Sequence, residues 1–531
     1  MNKLEKALKM GKASALGSLQ LFLGKMSSTV ILAVGTIVMG WFIAPTDYGL
    51  YAVSLIPISI ILLVQDWGIN SAMTRYCARY RAANQVDDLR KIIVAGLTFE
   101  LSTGLLLTFL SIVLASFFAS VFGKPESTLL IIFSSFTILS TAVNSGVQGL
   151  FVGFERMKFI GLASIVQAFV QSVFSVVLVY LGYGALGAVL GYTLASVASA
   201  LFSMSVFYFS IFRKLEHVKG KRFDSYVMLK PLLKFGVPLA LGTILGGILS
   251  PFFSFMMASY VSTAMIGNYK IATNFAILLA FFSVPISTVL FPAFSKVDPQ
   301  KERVLLKTIF ASSVKYTSLI MAPVALGIFV LSGPLIQTIY ADKWVYAPSL
   351  LALVAVTNLF VIAGIYSYTN LLSALGETKQ ILKISLVDLA FAVPIAFILT
   401  PRFGMNGVII GGVLAGVPGL SWGLYFIWKR YGVTVDFKSS AKILLASVVA
   451  AVVTYLFLSV LEAPNWAELV AGGVFFLATY LILVPVVGAI NQTDIDALQA
   501  LISELGVISK ILKIPLKILE RILSVRVRLY K

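Results

Sequence analysis

Three lysines lie where a positive charge is costly. Lys25 sits inside the apolar run LQLFLGKMSSTVILAVGTIVMG, Lys270 inside the apolar stretch 267–292, and Lys315 near the start of 308–332. An ionisable side chain at mid-bilayer costs about 2.5–3.5 kcal/mol on insertion scales, so such a group should face water, a carboxylate or an anion, not lipid. The neighbours of Lys25 agree. Ser14, Ser18, Ser28, Thr29 and Thr36 recur with it at helical spacing and form one polar face, as expected of a helix that lines a wet cavity. Thr273 and Asn274 repeat the pattern at the third and fourth positions after Lys270. Other readings stay open. Lys270 is close enough to a helix end to snorkel to the interface, and so is Lys315, which shares a face with Ser312 and Ser318. Lys25 can instead pair with an acid.

The acids within the apolar runs are Asp66, Glu100 and Asp388. A proton- or cation-coupled transporter needs a titratable group in its pathway, and these three are the candidates, with H+ or Na+ as the possible coupling ion. Pairing with a lysine is the alternative. Neutral polar faces occur on 127–150, with Thr137, Thr141, Asn144 and Gln148, and on 160–181, with Ser164, Gln167, Gln171 and Ser175. Hydroxyl and amide groups of this kind either hydrogen-bond a polar ligand or hold helices together. The serines and threonines read as helix contacts; Asn144, Gln167 and Gln171 are left as cavity candidates.

The elements that carry these residues follow from composition. Of 531 residues, 59% are apolar and 12% charged, with a mean hydropathy of +0.97. A soluble domain has roughly a quarter of its residues charged. A helical crossing needs about 20 mostly apolar residues, and such runs recur from residue 16 to residue 490. They are too long for barrel strands of about 10 residues. The expected fold is an all-α polytopic membrane protein with fourteen spans, near 17–43, 50–74, 92–121, 127–150, 160–181, 185–212, 236–260, 267–292, 308–332, 347–372, 380–400, 406–428, 442–461 and 467–490. No soluble domain interrupts them, and 17–43 reads as a retained helix, not a cleaved signal.

With the N-terminus in the cytoplasm, nearly all of the 41 Lys and Arg fall in inner loops or tails; Lys124, Lys343 and Arg402 are the exceptions outside the spans. This asymmetry is the positive-inside pattern of a plasma-membrane protein, and it puts both termini inside. It also accounts for the net charge of +19 without nucleic acid. The single cysteine, Cys77, excludes an internal disulfide, and no metal site, phosphate loop or H-E-x-x-H motif is present.

An internal repeat orders the spans. Gly49-Leu50-Tyr51 recurs as Gly267-Asn268-Tyr269, and GYGALGAVLG (182–191) as RFGMNGVIIG (402–411). Six helices per half keep the same orientation, which makes the halves parallel repeats. The expected organisation is an N-terminal lobe 1–220, a C-terminal lobe 221–440, two added helices in 441–490, and a tail 491–531. That tail reads as a basic amphipathic helix on the inner leaflet, broken at Pro515.

The run TDYGLYAVSLIPISIILLVQDWGINSAMTRYCARY, with FPAFSK (291–296) and LLSALGETK (371–379), resembles polysaccharide-type flippases of the MOP exporter superfamily. The resemblance covers most of 15–430. It implies two six-helix lobes around a central cavity and alternating access, with a polyprenyl- or dolichyl-linked oligosaccharide as cargo. Lipid II flippases of the superfamily carry basic cavity residues on helices 1 and 8. The resemblance therefore makes Lys25 and Lys270, with Lys315 after them, the candidates for the lipid phosphate, and Ser28, Thr29, Thr273 and Asn274 the polar lining around it. A monomeric transporter with no cofactor is expected, working alongside glycosyltransferases or a polymerase. Two rivals remain. One is a multidrug and toxic-compound extrusion transporter, which would favour acids over lysines. The other is a membrane glycosyl polymerase or ligase, which would need a large outer loop.

Overall fold

The computed structural model describes residues 3–65, 67–215, 225–276, 278–279, 290–503 and 519–523, with side chains described in these ranges except at 3–15, 225–226, 497–498 and 500–503. Every regular element among them is helical. The chain forms two compact units, 1–270 and 271–531.

In the first unit α1 is Lys3–Phe42, α2 Pro45–Ser54, α3 Ile56–Gln65, α4 Ile69–Ala82, α5 Val86–Val113, α6 Ala115–Val121, α7 Thr128–Gly153, α8 Lys158–Leu178, α9 Gly184–Ser210, α10 Ser225–Gly247, α11 Leu249–Tyr260 and α12 Thr263–Phe275, which crosses the unit boundary. In the second, α13 is Arg303–Tyr340, α14 Ala347–Thr357, α15 Ile365–Ala374, α16 Thr378–Tyr431, α17 Phe437–Val460, α18 Asn465–Val487 and α19 Gln492–Ser503.

Among the described residues ten helices are long and apolar enough to cross a membrane, or eleven when the bent pair α14–α15 counts as one span. Two of these, Lys158–Lys214 and Thr378–Tyr431, fold back on themselves. Gly184 has φ +50° and ψ −128°, and Gly404 has φ +55° and ψ −128°. That region of backbone space is open essentially to glycine alone. The turns are therefore made by repeat-related residues in the same conformation. Past each turn the helices stay close because Gly187 sits on the Leu178 backbone and Gly407 on the Leu399 backbone. The eighth expected span, 267–292, runs through 277 and 280–289, which lie outside the described residues.

The first unit is built around Ile69, Met73, Ile92, Phe151, Phe207 and Leu232. Small residues bring α1 against α8: a methyl on Gly24 would overlap the Gly161 backbone, and Ser172 donates to the Ile31 carbonyl at 3.0 Å. Such close backbone approach is how helices associate where the solvent is itself apolar. The compact units and the sequence repeat partition the chain differently, since α10 packs on α4 and α5, and α11 on α3.

The second unit has one cluster around Phe310, Val314, Leu371 and Ile427, and another around Ala446, Phe476, Tyr480 and Val484. The second cluster also takes in Ile495, Leu519 and Leu523, so the described part of the tail packs on protein. That corrects the picture of a helix lying wholly on the leaflet. Leu519 and Leu523 are one helical turn apart and both find an apolar protein partner. Residues 504–518, with Pro515, lie outside the described residues.

Candidate functional site

Helix α1 presents three faces. Gly17, Gly24 and Gly35 turn toward Met157, Gly161 and Ser172, the first just ahead of α8 and the other two on it. Leu16, Leu19, Leu23, Val30 and Val34 are exposed and apolar. Ser18, Lys25, Thr29 and Thr36 lie between, about 100° from the glycine face at 100° per residue. Lys25 is exposed and has no ion pair or hydrogen bond from its ammonium group among the described residues. Its carbonyl accepts from Ser28 Oγ at 2.8 Å and from Thr29 Oγ1 at 2.9 Å. Both hydroxyl protons are thus committed to the helix, and Ser28 is buried. These two residues shape the helix beside Lys25 and offer a ligand only acceptor oxygens.

Lys270, Thr273 and Asn274 are half-buried on α12. Lys315 is different. Its Nζ lies 2.6 Å from Asp494 Oδ2, and Tyr316 donates to Asp494 Oδ1 at 3.3 Å. Asp494 also closes a reciprocal cap at the start of α19, accepting from the Asn491 N–H at 2.8 Å while its own N–H donates to Asn491 Oδ1 at 2.9 Å. This pair matches the charge of Lys315, the third of the phosphate candidates. The motif N-x-x-D at 491–494 signals the cap and carries no sign of Lys315.

Asn144 lies between two helices. Its Nδ2 reaches Ser199 Oγ at 3.4 Å and its Oδ1 accepts from Ser203 at 2.8 Å, so both ends of the amide join α7 to α9. Gln167 and Gln171, half-buried on α8, make no side-chain hydrogen bond among the described residues and keep their amides available.

Of the acids, Asp66 lies outside the described residues. Glu100 is buried on α5 and accepts from Gln65 Nε2 at 2.6 Å. Gln65 was passed over in the sequence, where an isolated amide beside an acid carries little weight. Asp388 accepts from the Gly419 N–H at 2.9 Å. Pro418 interrupts the helix just before Gly419, which explains why that N–H turns to a side chain. A methyl on Gly419 would overlap the Asp388 carboxylate.

A model of polysaccharide biosynthesis proteins matches residues 38–349, more than half of the chain. This protein belongs to the polysaccharide biosynthesis protein family. A second model, of the lipid II flippase MurJ, matches 228–482. Among curated relatives, the lipopolysaccharide biosynthesis protein WzxC of Escherichia coli is 24% identical, covering 76% of each chain. The lipid II flippase MurJ of Bacillus subtilis is 22% identical over 78% of this chain and 82% of its own. A structure of lipid II flippase MurJ in an inward closed conformation superposes with TM-score 0.69 at 16% identity, covering 89% of this chain and 98% of that one. An inward-facing multidrug resistance transporter of the MATE family, in the MOP superfamily, superposes with TM-score 0.60 at 16% identity, covering 77% and 98%. The structural likenesses speak to the fold. They place this family member among multi-pass membrane proteins of that architecture.

Within that fold the family member has one chemical asymmetry. Lys315 is neutralised by a carboxylate, whereas Lys25 stands exposed on a polar face with nothing to match it among the described residues. An unmatched cation of that kind can do one thing well, which is to attract an anion into a poorly solvating region.

Proposed function

We propose that this protein is a flippase that carries a lipid-phosphate- or diphosphate-linked oligosaccharide from the inner to the outer leaflet by alternating access, for cell-surface polysaccharide or glycan assembly. Membership of the polysaccharide biosynthesis family and the names of its flippase relatives support the reading. The single observation that carries the site is Lys25, exposed and unmatched on the polar face of α1. An ammonium group stranded in the bilayer and a phosphate that must cross it each lower the other's desolvation cost. Lys270 is the second phosphate candidate, with Thr273, Asn274, Gln167 and Gln171 offered to the sugars. The lipid chain remains in hydrocarbon throughout, and the apolar groove of about 570 Å³ between α13 and α18, lined by Pro323, Gly327, Phe476 and Tyr480, suits it.

The finer reading follows the charge asymmetry. The protein acts in the plasma membrane with both termini in the cytoplasm, as a monomer that receives its cargo from glycosyltransferases and passes it to a polymerase. Glu100 and Asp388 are the candidates for coupling to H+ or Na+. The test is reconstitution in liposomes with fluorescent lipid-diphosphate glycans. Protein-dependent loss of inner-leaflet probe is expected. Export of a cationic dye without movement of the lipid glycan would overturn the reading in favour of a multidrug exporter.

A further inference from the structure

A crevice of about 270 Å³ opens between α5 and α9 in the first unit, lined by Val94, Leu97, Leu101, Val143, Met204 and Phe212. Both helices belong to candidate membrane spans, and Leu101 and Tyr208 on its walls are exposed, so its open side faces hydrocarbon. Its charge lies at one end. The Arg90 guanidinium stacks 4.7 Å from the centre of the Phe212 ring and donates through one nitrogen to the Leu215 carbonyl at 2.7 Å. Phe212 itself lines the crevice, so this guanidinium lies beside it. Arg213 and Lys214 follow Phe212 directly and are exposed. Lys91, next to Arg90, pairs with Asp88 at 3.8 Å.

From these observations we infer a binding site for one bilayer phospholipid with an anionic head group, its phosphate on Arg90, Arg213 and Lys214 and one acyl chain in the crevice. Length supports it. From Arg90 to Leu101 the helix rises about 16 Å at 1.5 Å per residue, and one leaflet of a hydrocarbon core about 30 Å thick is about half that thickness. The α5 residues that line the crevice, 93–101, cover about 12 Å of that depth at 1.5 Å per residue and start within one turn of Arg90. Composition supports it as well. An apolar void that stays empty forfeits dispersion contacts along its whole lining, and a chain lying in it restores them. Cations at the mouth add the charge match that distinguishes an anionic head group from a zwitterionic one. The site is independent of Lys25 and of the cargo.

The full-length protein in nanodiscs of zwitterionic lipid is labelled with phosphatidylglycerol or phosphatidylcholine bearing a photoactivatable acyl chain, and the adducts are mapped. At least fivefold more adduct is expected from phosphatidylglycerol, in residues 93–101 and 204–212. Leu97→Trp, which fills the crevice, should remove those adducts. Arg213→Gln with Lys214→Gln, at exposed positions that do not test folding, should bring the two probes to equal labelling. Equal labelling of the unaltered protein, adducts confined to other helices, or labelling unchanged in these variants overturns the site. Displacement of the probe by an equimolar polyprenyl diphosphate also overturns it, because the crevice would then belong to the cargo.

Discussion

Gly49 of α2 and Gly267 of α12 meet backbone to backbone. A methyl on Gly267 would lie 3.1 Å from the Gly49 nitrogen and overlap the Pro45 carbonyl; one on Gly49 would overlap the Thr263 carbonyl. These are the two residues that open the repeated G-x-Y triplets. Nearby, the buried Lys124 ammonium donates to the carbonyls of Phe122, at 3.2 Å, and of Ala258. Burial holds its pKa below the usual lysine value. Contacts to backbone thus join α2 to α12, and the Lys124 turn to α11, within the first unit.

The proposed alternating access would need the α2–α12 contact to form and break. Gly49→Ala should keep α2 and α12 apart and lower lipid-glycan transport by at least tenfold, with normal membrane insertion. Gly412→Ala is the control, because a methyl there meets nothing within 4 Å. Equal transport by the two variants in liposomes would show that the contact is not part of the cycle.

The spans and hairpins were legible because bilayer thickness and glycine conformation act locally. The turns at Gly184 and Gly404 could be placed to within a residue or two by the repeated G-x-x-G-x-x-x-G pattern. Partners were not legible. Lys315 and Asp494 are 179 residues apart, and nothing in the neighbourhood of either one announces the other. The same holds for Asn144, whose spacing on α7 fits a cavity face and a helix contact equally well until Ser199 and Ser203 are brought opposite it.

The Lys315–Asp494 pair fixes the start of α19 to α13. Lys315→Ala leaves Asp494 partly buried beside Tyr316 without its cation. A charged hydrogen bond of this kind contributes about 1.5–3 kcal/mol. Thermal unfolding in detergent should fall accordingly, and the tail beyond Asn491 should become more sensitive to protease. Lys315→Ala with Asp494→Ala should lose less than the sum of the two single variants. Binding of lipid diphosphate should be unchanged in all three, which separates Lys315 from the cargo site.

Asp436 precedes α17 and caps it, accepting from Ser439 Oγ at 2.6 Å and from the N–H groups of Lys438 and Ser439 at 3.2 Å. The Ser439 hydroxyl, ahead of the two N–H bonds, holds this carboxyl below its usual pKa. A depressed folded-state value means the contribution is present above the unfolded pKa of about 3.9 and lost as pH falls through the folded value. Asp436→Asn keeps a capping oxygen but no charge. Its stability should match the unaltered protein's more closely at acid pH than at neutral pH, and Asp436→Ala should cost about 1 kcal/mol at neutral pH. Unfolding followed as a function of pH checks the sign: a difference that grows toward acid pH would contradict it.

Lys25 is the residue on which the cargo reading turns, and charge can be separated from shape there. Lys25→Arg keeps the charge and replaces a point cation by a planar fork that also suits phosphate, so transport of lipid diphosphate should stay within severalfold. Lys25→Met keeps much of the length and removes the charge. It should insert at least as well, since the bilayer no longer opposes an ammonium group, and yet lose transport by at least tenfold. A purely structural lysine would give the opposite order for Lys25→Met: an apolar substitute on a half-exposed face leaves transport intact or improves it through yield. Parallel measurement of expression, thermal stability and lipid-diphosphate movement in the two variants decides between these outcomes, because only a ligand-binding charge makes a better-inserted protein a worse transporter.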